Sequence, residues 1–238
     1  TQRAEEELET RWPEARVSRL DQDSARQRGS ASMVVDAVHN GDVDILIGTQ
    51  IVAKGHDFKN VGLVVVLNTD PQLFSSDYRA RERLFSVLMQ VSGRAGRDKT
   101  EGKVLIQTRY TEDDIFKHLK SQDYEGFAAG ELEARRASFM VPFSAQALLV
   151  AEGKEISSVL AFLQKLKALA EKIKGPSVRI FEPVPLTVQK VMDIERGQLL
   201  IEADNKVEMQ KFLNRFQPEA LSLKAKGSWY IDVDPLNY

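Results

Sequence analysis

The chain has 238 residues, 42% hydrophobic and 29% charged, with 33 Lys+Arg against 35 Asp+Glu and no Cys. That length holds one large domain or two ordinary ones and can bury a real core. The longest apolar run, 61–67, is about a third of the roughly 20 residues a membrane helix needs. Hydrophobic content is too high, and a net charge of −2 too small, for a disordered chain. The lack of Cys excludes a disulfide framework and a thiolate zinc site within these residues.

The opening Thr1-Gln-Arg-Ala-Glu-Glu-Glu-Leu8 has no Met, no basic n-region and no apolar h-region, so it is not a signal peptide. It reads as a helix start and suggests a chain cut from a longer protein. Removal of an initiator Met is the alternative.

Up to about residue 136, short apolar runs alternate with helical stretches. The pattern predicts helices over 3–11, 32–40, 79–91, 112–120 and 122–136, and strands over 16–20, 44–48, 63–68 and 103–108. Apolar strands with little polar alternation, separated by helices, indicate a parallel sheet with helices on both faces. Ligands of such sheets bind at the carboxyl ends of the strands. A break follows at Ser138-Phe-Met-Val-Pro-Phe143. Beyond it, strands are expected over 145–151, 178–181, 186–192, 198–202 and 229–233. A helix is expected over 154–174, with Ile156, Val159, Leu160, Leu163, Leu166, Ala170 and Ile173 on one face and Gly175-Pro176 as its stop. Asn205 is the expected cap of a second helix carrying Val207, Phe212, Leu213 and Phe216. The β-α-β-β-β-α-β order suggests a small α+β domain with two helices on one face of a sheet. The division is drawn at 1–140 and 141–238. Neither part has the bulk positive charge of a free-standing nucleic-acid binder, so any such contact is local.

The sharpest segment is Gln90-Val-Ser-Gly-Arg-Ala-Gly-Arg97, after an amphipathic helix carrying Leu84, Phe85 and Leu88. Arg94 and Arg97 each follow a Gly. Glycine lets the backbone approach closely, and guanidinium gives planar, permanently charged, bidentate donation to phosphate. An arginine finger stabilises charge developing on a transferring phosphoryl group. A solvated basic turn at a helix end is the alternative. The second segment is Gly48-Thr-Gln-Ile-Val-Ala-Lys-Gly-His-Asp-Phe58. Thr49, Gln50, Lys54 and His56 supply hydroxyl, amide, cationic and imidazole groups that can hold a phosphate backbone. Gly55 permits a tight approach, and Asp57 can accept from a ribose hydroxyl. A plain strand–loop connection with an Asx turn is the alternative.

Together these segments resemble motifs V and VI of superfamily 2 helicases, in the second of their two RecA-like lobes. With Asp70-Pro-Gln-Leu-Phe-Ser-Ser-Asp-Tyr-Arg-Ala-Arg-Glu-Arg83 between them and Trp229-Tyr-Ile-Asp-Val-Asp-Pro235 near the end, the chain resembles the PriA (primosomal protein N′) family of bacterial replication-restart helicases. The expected fold is α/β: a RecA-like second lobe, truncated at its start, followed by a small α+β domain. Thr1–Leu8 resembles the stretch after the family's zinc-binding cysteines, so the cut is expected just past a zinc insert.

The resemblance implies a fragment of an ATP-dependent 3′-5′ DNA helicase that restarts stalled forks and starts primosome assembly. Gln90, Arg94 and Arg97 would face the nucleotide, Arg97 as the finger, with Gly55 and Asp57 nearby. Thr49, Gln50 and Lys54 would touch the DNA backbone. ATP and Mg²⁺ would be held mainly by an absent first lobe, and zinc by the full-length protein outside this chain. No Gly-Lys-Ser/Thr occurs here, so the chain alone is expected not to hydrolyse ATP. Implied partners are forked and single-stranded DNA, the acidic tail of single-stranded-DNA-binding protein, and other primosome-loading proteins, in the bacterial cytoplasm and without a membrane. In the family the last domain resembles a ribosomal small-subunit protein fold and is associated with DNA and tail binding. Lys165, Lys167, Lys172 and Lys174, then Lys206, Lys211 and Arg215, then Lys224 and Lys226 before Trp229 and Tyr230, suit such ligands. The alternative is a solvated basic face with Trp229 in the core. The arginines at 79, 81 and 83 suit either a DNA or interlobe contact or a solvated helix start. Two other readings are another superfamily 2 translocase, such as a branch-migration helicase, and a free-standing module that binds single-stranded-DNA-binding protein.

Overall fold

Aliphatic runs that can bury their side chains become the strands of this protein. A computed structural model describes residues 1–21, 30–49, 61–75, 77–93, 102–191 and 193–236. They form two compact units, Thr1–Ala128 and Ala129–Tyr238. This division lies inside a helix, twelve residues before the one drawn from sequence at 140/141.

The first unit begins with α1 (Gln2–Arg11), β1 (Val17–Leu20), α2 (Ser30–His39) and β2 (Ile45–Gly48). β1 and β2 pair in parallel, with Val17 opposite Ile45. Leu20 and Val35 are buried there, with Val34, Val38, Leu46 and Val61 packed around them. Arg16 ties the two strand entries together. Its backbone N–H and Nε donate to Asp44 at 2.8 and 2.9 Å, and Nη2 donates to the Gly41 carbonyl at 2.7 Å. Those hydrogen bonds hold the Asp44 carboxyl well below the usual carboxylate range.

Next come β3 (Leu63–Val66), a one-turn α3 (Asp70–Leu73), α4 (Ala80–Ser92), β4 (Lys103–Ile106), α5 (Asp114–Ser121) and α6 (Tyr124–Ala137). β3 and β4 pair in parallel, Leu63 opposite Lys103. Parallel strands alternating with helices match the α/β expectation, but two details differ. The hydrogen bonds among the described residues make two two-stranded sheets. In addition, β3 and β4 cover only alternate residues, and those in part. Val66 and Ile106 pack on a core of Leu73, Leu84, Phe85, Leu88, Ile115, Phe116, Leu119 and Phe127, whereas Leu63, Val65 and Leu105 are exposed. A run such as Leu-Val-Val-Val has no polar alternation to mark its open face. Here α4, α5 and α6 all supply apolar residues to the Val66 and Ile106 side.

The second unit holds β5 (Ala145–Gly153), α7 (Ile156–Ile173), β6 (Val178–Ile180), β7 (Val184–Val191), β8 (Ile194–Ala203), α8 (Lys206–Leu221) and β9 (Ser228–Val233). The sheet order is β6-β8-β5-β9, with β7 also paired to β8, and its ladders are antiparallel. Ala147, Leu149 and Ala151 of β5 and Leu199, Ile201 and Ala203 of β8 share one core with Val159, Leu163 and Leu166 of α7 and Met209, Phe212 and Phe216 of α8. Alternate positions on neighbouring strands point to one face, so both helices cover the same side of the sheet. Asn205 caps α8, its side chain accepting from the Glu208 N–H at 3.0 Å, as the sequence predicts. No helix among the described residues is long and apolar enough to cross a membrane.

Candidate functional site

Of the nine residues singled out for nucleotide and DNA-backbone contacts, two fall within the described residues. Thr49 follows the last residue of β2 and is exposed at that strand's carboxyl end. Gln90 lies in the last turns of α4 and is exposed, while Leu84, Phe85 and Leu88 of the same helix are buried. The core therefore fixes α4 by its apolar side and leaves the amide of Gln90 in solvent, four residues before Arg94 in sequence. Gln50, Lys54, Gly55, His56, Asp57, Arg94 and Arg97 lie outside the described residues.

The segment leading into α4 is built by ion pairs. Arg81 donates through both Nη atoms to Asp113, at 3.2 and 3.0 Å. Arg83 reaches Asp77 at 2.7 Å, and the same carboxylate accepts the Arg79 N–H at 2.9 Å. The Arg79 guanidinium lies 5.1 Å from the centre of the Tyr78 ring. Two of the three arginines thus have carboxylate partners within the unit, which favours the helix-start reading for Arg81 and Arg83. Asp113 also caps α5 through the Ile115 N–H at 3.0 Å. Partial burial pushes its carboxyl up. The Arg81 and Ile115 hydrogen bonds and the charges of Arg81 and Lys117 outweigh that, and its pKa falls below the ordinary value. Sequence reasoning starts this helix at 112 and so misses the cap. The signal was Asp113, two residues before the apolar Ile115 and Phe116.

The carboxyl ends of β3 and β4 are stitched together. Asn68, with φ of 58°, turns the chain after β3, and its N–H donates to the Gln107 side chain at 3.2 Å. Thr69 Oγ1 donates to the Gln107 carbonyl at 3.0 Å, and Thr108 Oγ1 donates to Asp70 at 2.6 Å. This fixes the polar edge where α/β sheets hold their ligands.

In the second unit several expected basic contacts are engaged in ion pairs. Lys167 pairs with Glu182, Lys174 with Glu171, Lys206 with Asp234 and Lys211 with Glu208. Lys167 and Gln164 together hold the Glu182 carboxyl below its ordinary range. Lys224 and Lys226 are exposed. Trp229 packs on the helix-side core, its ring 6.0 Å from that of Phe162, which supports the core reading, while Tyr230 is exposed. Arg196 of β8 pairs with Glu152 at 3.0 Å.

Residues 1–99 match the description of the helicase conserved C-terminal domain, and residues 136–236 match that of the primosomal protein N C-terminal domain. Replication restart protein PriA of Haemophilus influenzae is 34% identical over 235 residues, covering 99% of this chain and 32% of that protein. The chain belongs to the PriA family. PriA of Rickettsia conorii is 33% identical over 237 residues, covering all of this chain and 36% of that protein. PriA of Bacillus subtilis is 35% identical over 215 residues, covering 90% of this chain and 27% of that protein. The chain spans about a third of the length of the PriA proteins it matches. The helicase match includes Thr49 and Gln90, and the PriA C-terminal match spans the second unit's sheet and both helices.

Proposed function

We propose that this chain is the carboxyl-terminal part of an ATP-dependent 3′-5′ DNA helicase that restarts stalled replication forks and starts primosome assembly in the bacterial cytoplasm. The observation that carries the reading is the order of the two family matches along one chain, helicase C-terminal domain first and PriA C-terminal domain second. On this reading the first unit is a motor's second lobe. Gln90, Arg94 and Arg97 face the nucleotide, with Gly55 and Asp57 close by, and Arg97 complements charge on the γ-phosphoryl group. Thr49, Gln50, Lys54 and His56 hold the DNA backbone. The exposure of Gln90 and Thr49 supports these roles, since each presents a hydrogen-bonding side chain at a solvent-facing position.

ATP, bound with Mg²⁺ mainly by a first lobe, supplies the phosphoryl group whose transfer drives the motor. This chain's residues bind and orient. Its Gly-Lys pairs, Gly102-Lys103-Val104 and Gly153-Lys154-Glu155, lack the Ser/Thr of a phosphate cradle, so the chain does not turn over ATP by itself. Zinc belongs to the full-length protein and not to this Cys-free chain. The partners are forked and single-stranded DNA, the acidic tail of single-stranded-DNA-binding protein, and other primosome-loading proteins. Lys224 and Lys226 are exposed cations suited to an acidic tail.

The test adds this chain to a separately made first lobe and forked DNA. ATP hydrolysis should appear only in the mixture and should fall sharply with Arg97→Ala. Equal hydrolysis with Arg97→Ala would sink the finger assignment. Titration of a fluorescent acidic tail peptide tests the docking role separately.

A further inference from the structure

Phe74 and Tyr110 form an exposed aromatic pair on the stitched edge of the first unit. Their ring centres are 4.4 Å apart at an interplanar angle of 62°, and they keep 60% and 48% of their surface open. Aromatic rings normally contribute large apolar areas to a core. Holding two of them in solvent against each other needs a rigid support, and this edge supplies one. The Phe74 N–H donates to the Asp70 carbonyl at 3.1 Å. The Asp70 carboxylate accepts from Thr108 Oγ1 at 2.6 Å and from the Arg109 N–H at 3.2 Å. Thr108 Oγ1 in turn accepts the Tyr110 N–H at 3.0 Å. Asp70, through its main-chain carbonyl and its carboxylate, and the Thr108 hydroxyl thus fix the backbone beneath both rings.

Arg109 stands next to Tyr110 in the chain and is exposed, and its guanidinium has no hydrogen bond or ion pair among the described residues. Open ring faces beside an available guanidinium match the chemistry of unpaired nucleobases on an anionic backbone. Stacking tolerates any base, and the cation meets a phosphate. The pair also lies at the carboxyl ends of two parallel strands, the edge where such sheets bind ligands.

We propose that Phe74 and Tyr110 form a stacking site for unpaired bases of single-stranded DNA, with Arg109 on the adjoining phosphate. This rests on the helicase reading and adds a base-contacting site to the backbone contacts of the Thr49–His56 segment. The site grips the strand through its bases, so its affinity follows base content rather than phosphate count.

The experiment uses the 238-residue chain and two fluorescein-labelled 20-mers of equal charge, one of thymidine and one of abasic sites. Phe74→Leu with Tyr110→Leu keeps apolar bulk and removes both rings. Binding of the thymidine oligomer should weaken about 10-fold, with little change for the abasic oligomer. Phe74→Tyr with Tyr110→Phe keeps two rings and should bind thymidine as the parent does. Equal losses on both oligomers, no loss on either, or a parent chain that binds the two alike would each overturn the proposal. A parent chain that binds neither also overturns it, while the motor reading is decided separately by the Arg97→Ala hydrolysis assay. A site for a protein segment instead would appear as thymidine binding untouched by the loss of both rings.

Discussion

Arg81 of α4 donates both of its terminal nitrogens to Asp113, and Asp113 is at the same time the N-cap of α5. One carboxylate therefore joins the helix that carries Gln90 to the helix that follows β4. Both side chains are partly buried, at 33% and 20% exposure, so the pair is better shielded from water than a surface ion pair. Asp113→Asn keeps the cap, because an Asn side chain also accepts from the Ile115 N–H, and loses the charge. It should cost about 0.5–1 kcal/mol of unfolding free energy. Asp113→Ala loses both and should cost about 1–2 kcal/mol. Urea unfolding of the chain measures the two, and equal costs would show that the ion pair alone matters.

The same pair sets a pH dependence with a defined sign. The folded Asp113 carboxyl is depressed, so the folded state binds fewer protons than the unfolded state between the two pKa values. Its contribution is fully present above about pH 4, the ordinary Asp range, and is lost as pH falls through the lower folded value. The stability difference between the parent and Asp113→Asn should stay constant from neutral pH down to the ordinary Asp range and shrink below it. Urea midpoints across that range read it directly, and a difference that grows on acidification would contradict the pairing.

Gly227 precedes β9, beside the Glu152–Gly153 end of β5. A Cβ there would stand 1.9 Å from the Glu152 carbonyl oxygen and 3.2 Å from Gly153 Cα. Both are backbone atoms, so the strands would have to part. Gly227→Ala should destabilise the chain by about 1–3 kcal/mol. Gly175 is the control. It follows the C-cap of α7, its Cβ would meet nothing within 4 Å, and its φ is not positive. Gly175→Ala should be neutral or stabilise by about 0.4–1 kcal/mol, through the unfolded chain. Thermal melting of the two variants separates a steric cost from a general intolerance of alanine at glycine.

Legibility in the sequence followed the range of the forces. The apolar stripe from Ile156 to Ile173 and the cap at Asn205 are local, and α7 and α8 form where that stripe and cap predict. β8 was harder. It begins at Ile194, four residues before the expected start, because its first residues pair with β7 and with the far end of β5, Arg196 opposite Glu152, 44 residues away. The one-turn α3 was not expected, since Asp70-Pro71 opens a helix only four residues long. At the site, Gln90 and Thr49 were legible as motif residues. The partners of Arg81 and the open Phe74–Tyr110 pair were not, because their contacts cross 32 and 36 residues of chain.

Gln90 offers the cleanest separation of function from fold. It is exposed on α4, and its neighbours Phe85 and Leu88 are buried, so Gln90→Ala touches no core atom and exchanges one good helix former for another. Stability should stay within about 0.5 kcal/mol of the parent. On the proposed reading its amide faces the nucleotide, and losing one polar contact to a phosphoryl group undergoing transfer should lower ATP hydrolysis about 10-fold or more. The loss should fall on kcat if the contact forms only as charge develops, and on KM if the amide binds ground-state nucleotide equally well. Hydrolysis by the chain supplemented with a first lobe, measured across ATP concentrations, distinguishes the two. Unchanged kcat and KM in the variant would remove Gln90 from the nucleotide site while leaving the assignments of Arg94 and Arg97 to their own substitutions.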